Sequence, residues 1–356
     1  MASHATSTQF FIDSQKLVEC FLQTVIMIDD RAYEPTAPPT PSAPPRSPIR
    51  PMFNVSPEQA PGTEVTTGSR SQEYDLDDDL VIEQASDQDA EQIAQDVAHV
   101  LNPQRVVEQF SNKGIICAVL KPTEGGTEPF EKKASALSAA DVLILDWVWF
   151  KDVEGKRVSE VIARIVKESS EQHRMRLILI YTGQRHLETI VDALSKNLMS
   201  HGVTAISRLD DFTIQSSGTR ITVYSKSNVE PTSEALRERA SPFDELPNTV
   251  ITEFTKMTAG LIPNIAVASL AEIRRATHRL LARFNAKLDA PFLANRALLN
   301  PPSEGNEQIV PLIVSEVEAI LEDQISEDLL SDVAITNWLQ TTRSVTNACR
   351  FSQDQN

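Results

Sequence analysis

The sequence predicts an α/β protein: a doubly wound, five-stranded parallel sheet followed by a helical C-terminal region. Three observations predict it. Five short runs rich in Val, Ile and Leu recur at 24–28, 115–120, 141–146, 177–181 and 221–224. Such runs are what strands buried on both faces look like. Segments of helical apolar spacing lie between them, which gives βαβ units with right-handed crossovers. Four of the runs end on polar residues: Asp29-Asp30, Asp146, Thr182-Gly183 and Ser225-Lys226. In an open α/β sheet, ligands bind outside the carboxyl ends of the strands, so these four endings mark the candidate site.

In chain order, residues 10–22 carry Phe10, Phe11, Leu17, Val18, Phe21 and Leu22 at roughly helical spacing. The first strand run, Thr24 to Ile28, ends at Asp29-Asp30. An insertion then interrupts the pattern. Residues 35–61 contain ten prolines, and 71–104 contain ten acidic residues and no Lys or Arg. Proline removes backbone donors and fixes φ, and a chain of this composition cannot bury enough apolar surface to order itself. Residues 35–90 are therefore expected to be disordered, as a tether or a partner-binding segment. Ile93, Val97 and Val100 return to helical spacing.

Val106, Val107 and Phe110 predict a short helix, with Gly114 placed for a C-cap. The second strand run follows, then a short helix at 131–139 and the third run. Val158, Val161, Ile162, Ile165 and Val166 predict the next helix; Leu187, Ile190, Val191 and Leu194 predict another. Residues 204–218 have room for an extra strand or a hairpin. From about Asp244 the chain reads as helical: one long helix through Ile265 to Phe284, a second over 309–325 with Pro311 near its start, and a third at 329–339. This divides the chain into an α/β domain at 1–235 and a helical domain at 244–350, a bundle or dimerisation element.

Composition limits the function. The net charge of −17 and the pI of about 4.8 argue against general affinity for nucleic acid or anionic membrane. Three widely spaced cysteines, Cys20, Cys117 and Cys349, make neither a disulfide framework nor a metal site and fit a reducing compartment. No basic-then-apolar leader and no long apolar run is present, so a cytoplasmic protein is expected.

Asp29-Asp30, Asp146, Thr182 and Lys226, in that order and each at the end of a strand run, resemble the receiver domain of two-component response regulators over roughly residues 12–235. The resemblance implies a flavodoxin-like sheet of order 2-1-3-4-5. It implies that Asp146 is the phosphoacceptor, and that Asp30, Asp146 and the Val148 backbone carbonyl ligate Mg²⁺, with Asp29 acting mainly through water. Lys226 and the Thr182 hydroxyl would each take a phosphoryl oxygen, Thr182 doubling as the switch residue. The partner implied is a sensor histidine kinase. Clustered carboxylates fit a hard divalent cation, which prefers oxygen ligands and bridges to phosphate.

The chain departs from the receiver pattern in two places. Trp149-Phe150 stand where receivers carry a Met-Pro pair, with Asp152, Glu154 and Gly155 supplying a turn. Ser227, rather than proline, follows Lys226. Tyr224 is the nearest counterpart of the usual aromatic switch residue. The long first-loop insertion, the Leu145-Asp146-Trp147 sequence and the helical C-terminal region together resemble a narrower group, the atypical receiver proteins of Detocs-type anti-phage two-component systems.

Other readings remain open on sequence alone. A receiver fold that has lost phosphorylation and serves as a scaffold is the main alternative. A haloacid-dehalogenase-type phosphatase needs Asp-x-Asp after the first strand, and here Arg31 and Ala32 occupy the two possible positions. The protein is thus expected to catalyse no reaction beyond its own phosphorylation and dephosphorylation. His278, between Arg275 and Arg279, is read as part of a solvated basic face rather than as a phosphotransfer histidine. An effector protein and a second copy, held through the C-terminal helices, are the further partners considered.

Overall fold

The fully buried strands lie inside the sheet. The computed structural model describes residues 9–32, 102–122, 135–184, 186–226, 234–299, 303–324, 329 and 331–341. The strands are β1 (Thr24–Ile28), β2 (Ile116–Leu120), β3 (Val142–Leu145), β4 (Arg176–Thr182), β5 (Ile206–Asp210), β6 (Thr213–Ser216), β7 (Thr219–Lys226) and β8 (Ala240–Ser241). The sheet order is β2-β1-β3-β4-β7-β6-β5, with β8 pairing β7. Pairing from β2 through β7 is parallel, so the expected 2-1-3-4-5 order is present with β7 as its fifth strand. Every residue of β3, β4 and β7 is buried. The outermost parallel strand, β2, alternates exposed and buried residues, as a strand covered on one face does.

The sheet is larger than five strands. Residues 204–218 form a β5–β6 hairpin that adds antiparallel strands to the free side of β7, and β8 pairs the end of β7 at Ser225 and Lys226.

Two helical layers cover the sheet. One contains α1 (Gln9–Phe21), α2 (Pro103–Asn112) and α5 (Leu246–Thr258); the other contains α3 (Lys156–Glu171) and α4 (Leu187–Ser200). Val18, Phe110, Val250 and Phe254 pack with Val25, Met27, Ile144 and Leu179 on the first face. Val158, Ile162, Ile190 and Leu194 pack with Ile28, Leu143, Leu145 and Ile180 on the second. Alternation along each strand sends successive residues to opposite layers. Helix α2 begins on Pro103, with Asn102 as a side-chain N-cap to the Arg105 amide at 3.1 Å. Gly114 takes φ +72° just after its end, the left-handed conformation that suits glycine.

The boundary expected at 244 does not separate two cores. Helix α5 and the start of α6 (Leu261–Arg283) place Leu246, Val250, Ile251, Phe254 and Val267 in the same apolar cluster as the sheet. The face formed by α1, α2 and Val25, Met27, Val142, Ile144, Leu177 and Leu179 of the central strands needs this cover. Helices α7 (Asp289–Leu298) and α8 (Ile309–Gln324) follow, and 332–341 is helical. The segment 35–90, the helical spacing at 90–101, residues 131–134 of the short helix expected at 131–139, and Ser227 lie outside the described residues; 135–139 is helical.

Candidate functional site: three carboxylates and a buried lysine

The parallel register brings the polar endings to one edge. Ile28 lies opposite Leu145, so Asp29 and Asp146 leave adjacent strands side by side. The Asp146 amide donates to the Ile28 carbonyl at 2.9 Å, and the Asp29 amide to the Leu120 carbonyl at 3.2 Å. Carboxylate oxygens of Asp29, Asp30 and Asp146 all lie within 4.8 Å of one another. Thr182 pairs with Ser225, next to Lys226. Asp29 and Thr182 are fully buried, and Asp146 is only 7% exposed.

Lys226 reaches into this cluster and is 1% exposed. Its ammonium donates to Asp29 Oδ2 at 2.9 Å and to Asp146 Oδ2 at 2.8 Å, and sits 5.9 Å from the centre of the Tyr181 ring. Burial works against its charge, but Asp146 and Asp29 outweigh that and hold its pKa above an ordinary lysine's. Asp146 shows the reverse balance. Burial pushes its carboxyl up to about 6, Lys226 pulls it down, and the Asp29 and Asp30 charges add to the rise. One ammonium shared among three carboxylates leaves the site negative, the condition under which a cation is favoured.

The remaining oxygens are positioned by backbone. The Arg31 amide donates to Asp29 Oδ1 at 2.9 Å, and the Phe150 amide donates to Asp30 Oδ2 at 2.7 Å. Asp146 Oδ1 accepts no hydrogen bond from the described residues. The donor set is all oxygen, carries more negative charge than its lysine neutralises, and is reached at one edge of the sheet. It fits a hard divalent ion such as Mg²⁺. Asp29, Asp30 and Asp146 are the side chains that would hold it, and Val148 lies half-buried in the loop after β3.

That loop differs from what a Met-Pro pair would make. Phe150 and Lys151 take φ of 51° and 66°, and Trp149 bridges to Asp152. The Trp147 indole donates to the Val153 carbonyl at 3.2 Å and covers Gly155. A Cβ at Gly155 would meet that ring at 2.3 Å, and its φ is +63°. Asp152 then caps α3 by accepting from the Arg157 amide at 2.9 Å. Sequence reasoning missed the Phe150 amide as the anchor of Asp30. Neither Phe nor Lys signals positive φ, so nothing in the residue types announces it.

Tyr224 is not placed to respond to Thr182. Tyr224 shares the α5-side cluster with Tyr181, whereas Thr182 follows Ile180 of the α3–α4 side by strand alternation. Its hydroxyl donates to Glu253 of α5 at 2.8 Å, and Arg220 reaches the same carboxylate at 3.0 Å. The Thr182 hydroxyl accepts from the Gln184 amide at 3.3 Å, which orients it at the start of the following loop. His278 lies exposed on α6. No helix among the described residues is long and apolar enough to cross a membrane.

Comparison with known families agrees with this geometry. The family model described as a response receiver domain matches residues 21–231, a span that holds all the residues of the cluster. No curated protein and no solved structure matches the chain.

Proposed function

The chain belongs to the response receiver family, and from that premise we propose that it accepts a phosphoryl group on Asp146 from a histidine kinase. The observation that carries this is the convergence of Asp29, Asp30 and Asp146 with Lys226 at one edge of the sheet, from segments up to 197 residues apart. In the transfer, an Asp146 carboxylate oxygen forms a bond to phosphorus as the phosphorus–nitrogen bond of the donor histidine breaks. The histidine leaves with the bonding pair, and an acyl phosphate remains. Mg²⁺, held by Asp29, Asp30 and Asp146, would supply charge neutralisation to the phosphoryl oxygens. Catalysis of this kind is mostly positioning and electrostatics.

The chain's own residues have distinct parts. Lys226 leaves its bond to Asp146 Oδ2 for a phosphoryl oxygen, a change that needs only a small movement of a long side chain. Thr182 offers its hydroxyl to another oxygen and carries the loop after β4 with it. Asp29 keeps one oxygen on the Arg31 amide throughout. The chain then acts as a signalling component. The resemblance of its long first-loop insertion and helical C-terminal region to the Detocs-type proteins favours a place in anti-phage signalling, with an effector of the same system as a further partner.

The test is intact mass after incubation with acetyl phosphate and Mg²⁺, wild type beside Asp146→Asn. One added phosphoryl group that depends on Mg²⁺ and is absent from the variant is expected. No gain from acetyl phosphate or from a cognate kinase would favour the scaffold reading, which the positive φ values at Phe150 and Lys151 in the loop after Asp146 also support.

A further inference from the structure

The last third of the chain carries apolar surface that no other described element covers. Of the eighteen large apolar side chains exposed among the described residues, thirteen lie between 262 and 339. They are densest at the start of α8, where Ile309, Val310, Leu312, Ile313 and Val314 are all exposed, Val310 by 66% and Leu312 by 57%. Helix α7 adds Leu293 and Leu298. A monomer rarely shows an apolar patch beyond a few hundred Å². Side chains of this number and exposure leave on the order of 1,000 Å², comparable to the ~800 Å² each partner contributes to a standard interface.

We infer that this surface binds a second copy of the chain, with α7 and α8 supplying the apolar contact and the α6 arginines its charged rim. Position, permanence and charge favour that occupant. Helix α6 is held by Arg274, whose guanidinium meets Asp141 Oδ1 at 2.9 Å. Asp141 precedes β3 and Asp146 follows it, so this anchor sits at the end of the strand away from the phosphoacceptor. A kinase domain working on Asp146 approaches the other end. A surface this apolar also suits a lasting partner rather than one that must leave after each transfer.

The charges around the patch are self-complementary. Helix α8 exposes Glu318, Glu322 and Asp323 and contains no Lys or Arg. Helix α6 exposes Arg275, Arg279 and Arg283 at four-residue spacing. Arg275 pairs with Glu272, and Arg283 with Glu316 of α8; Arg279 has no ion pair among the described residues. An acidic helix and a basic stripe on one molecule are what a two-fold arrangement uses, each copy's α8 meeting the other's α6. A lipid surface would call for a basic rim beside the apolar residues of α8, and that rim is acidic.

Sedimentation velocity on the full chain tests the inference over a range of concentrations. The expected mass is twice the 39.4 kDa of one chain, falling to one chain in Val310→Asp and, separately, in Leu293→Asp. Both positions are exposed, and unchanged circular dichroism and melting confirm that the variants fold. Arg279→Glu is expected to weaken association about tenfold at low salt. Asp146→Asn is expected to associate like wild type, which separates this result from the phosphoacceptor reading. A single-chain mass for wild type at every concentration, or a doubled mass in both apolar-site variants, overturns the inference. So does a single-chain wild type that floats with zwitterionic vesicles, which would assign the face to lipid.

Discussion

Strand β3 has an aspartate beyond each end, and the two are treated in opposite ways. Asp141, at the start, is buried and fully engaged. It accepts from the Gln23 amide at 3.1 Å, the Thr24 amide and hydroxyl at 3.2 Å, and both terminal nitrogens of Arg274. That guanidinium also donates to the Phe21 carbonyl and stacks 4.0 Å from the centre of the Phe21 ring. Asp146, at the far end, is as well buried but shares one lysine with Asp29 and stands beside Asp30. The difference teaches what a buried charge is for. Asp141 has its own cation and its lone pairs filled, so it is a joint between the sheet, the N-terminal segment and α6. Asp146 is left short of positive charge, and that deficit is what makes it ready for a cation and an electrophile.

Removing the cations tests the contrast most severely. Lys226→Ala is expected to cost about 3–5 kcal/mol in metal-free buffer, since it leaves buried carboxylates with no countercharge. Urea unfolding with EDTA and again with Mg²⁺ checks it, and Mg²⁺ should recover part of the loss. If the metal recovers nothing, the carboxylates are not a cation site.

Asp141→Ala is expected to cost about 2–4 kcal/mol, because the Arg274 guanidinium and the Gln23 and Thr24 amides lose their acceptor. Here Mg²⁺ should make no difference to the change. A Mg²⁺-dependent effect at Asp141 would erase the distinction between the two ends.

Asp146→Asn should act in the opposite direction. Burial raises the folded-state pKa of Asp146 to about 6 from an ordinary 3.8, so the folded state binds more protons than the unfolded state between those values. Stability therefore falls as pH rises through that window, and the cost is fully present above about pH 6. The asparagine variant is expected to be more stable than wild type by about 1–3 kcal/mol at pH 7.5 without metal. The gap should close toward pH 4, and also with Mg²⁺. Unfolding curves at the two pH values give the sign directly.

The smallest effect is expected at the loop that holds Asp30. Gly155→Ala drives a methyl group toward the Trp147 ring and forces a side chain into positive φ, for about 1–2 kcal/mol. Its Mg²⁺-dependent phosphorylation should slow more than its stability would suggest, because the Phe150 amide that fixes Asp30 belongs to the same loop. Single-turnover phosphorylation beside a melting curve separates the two.

Strand runs and their polar endings were legible because a parallel core strand must be apolar throughout, so a polar residue at its end is conspicuous. Asp29, Asp30, Asp146, Thr182 and Lys226 were all found that way. The β5–β6 hairpin was visible only as unassigned length, since its strands are short and β5 is exposed along nearly all of it. The two-domain division was misread because an amphipathic helix does not announce which surface it covers. Leu246, Val250 and Phe254 would look the same in a separate bundle as they do on the sheet.

By itself, then, the sequence determined the five buried strand runs, most of the helices between and after them, and the polar residues at the strand ends, since these follow from local periodicity and from chemistry placed at strand ends; the order 2-1-3-4-5 was implied by the receiver resemblance. Only the tertiary structure decided that Lys226 bridges Asp29 and Asp146, that the Phe150 amide holds Asp30, that Arg274 fastens α6 to Asp141, and that α5 belongs to the sheet. Each depends on register and on side-chain reach between segments distant in the chain. No local pattern encodes these, because the free energy that selects them comes from burying the two partners together.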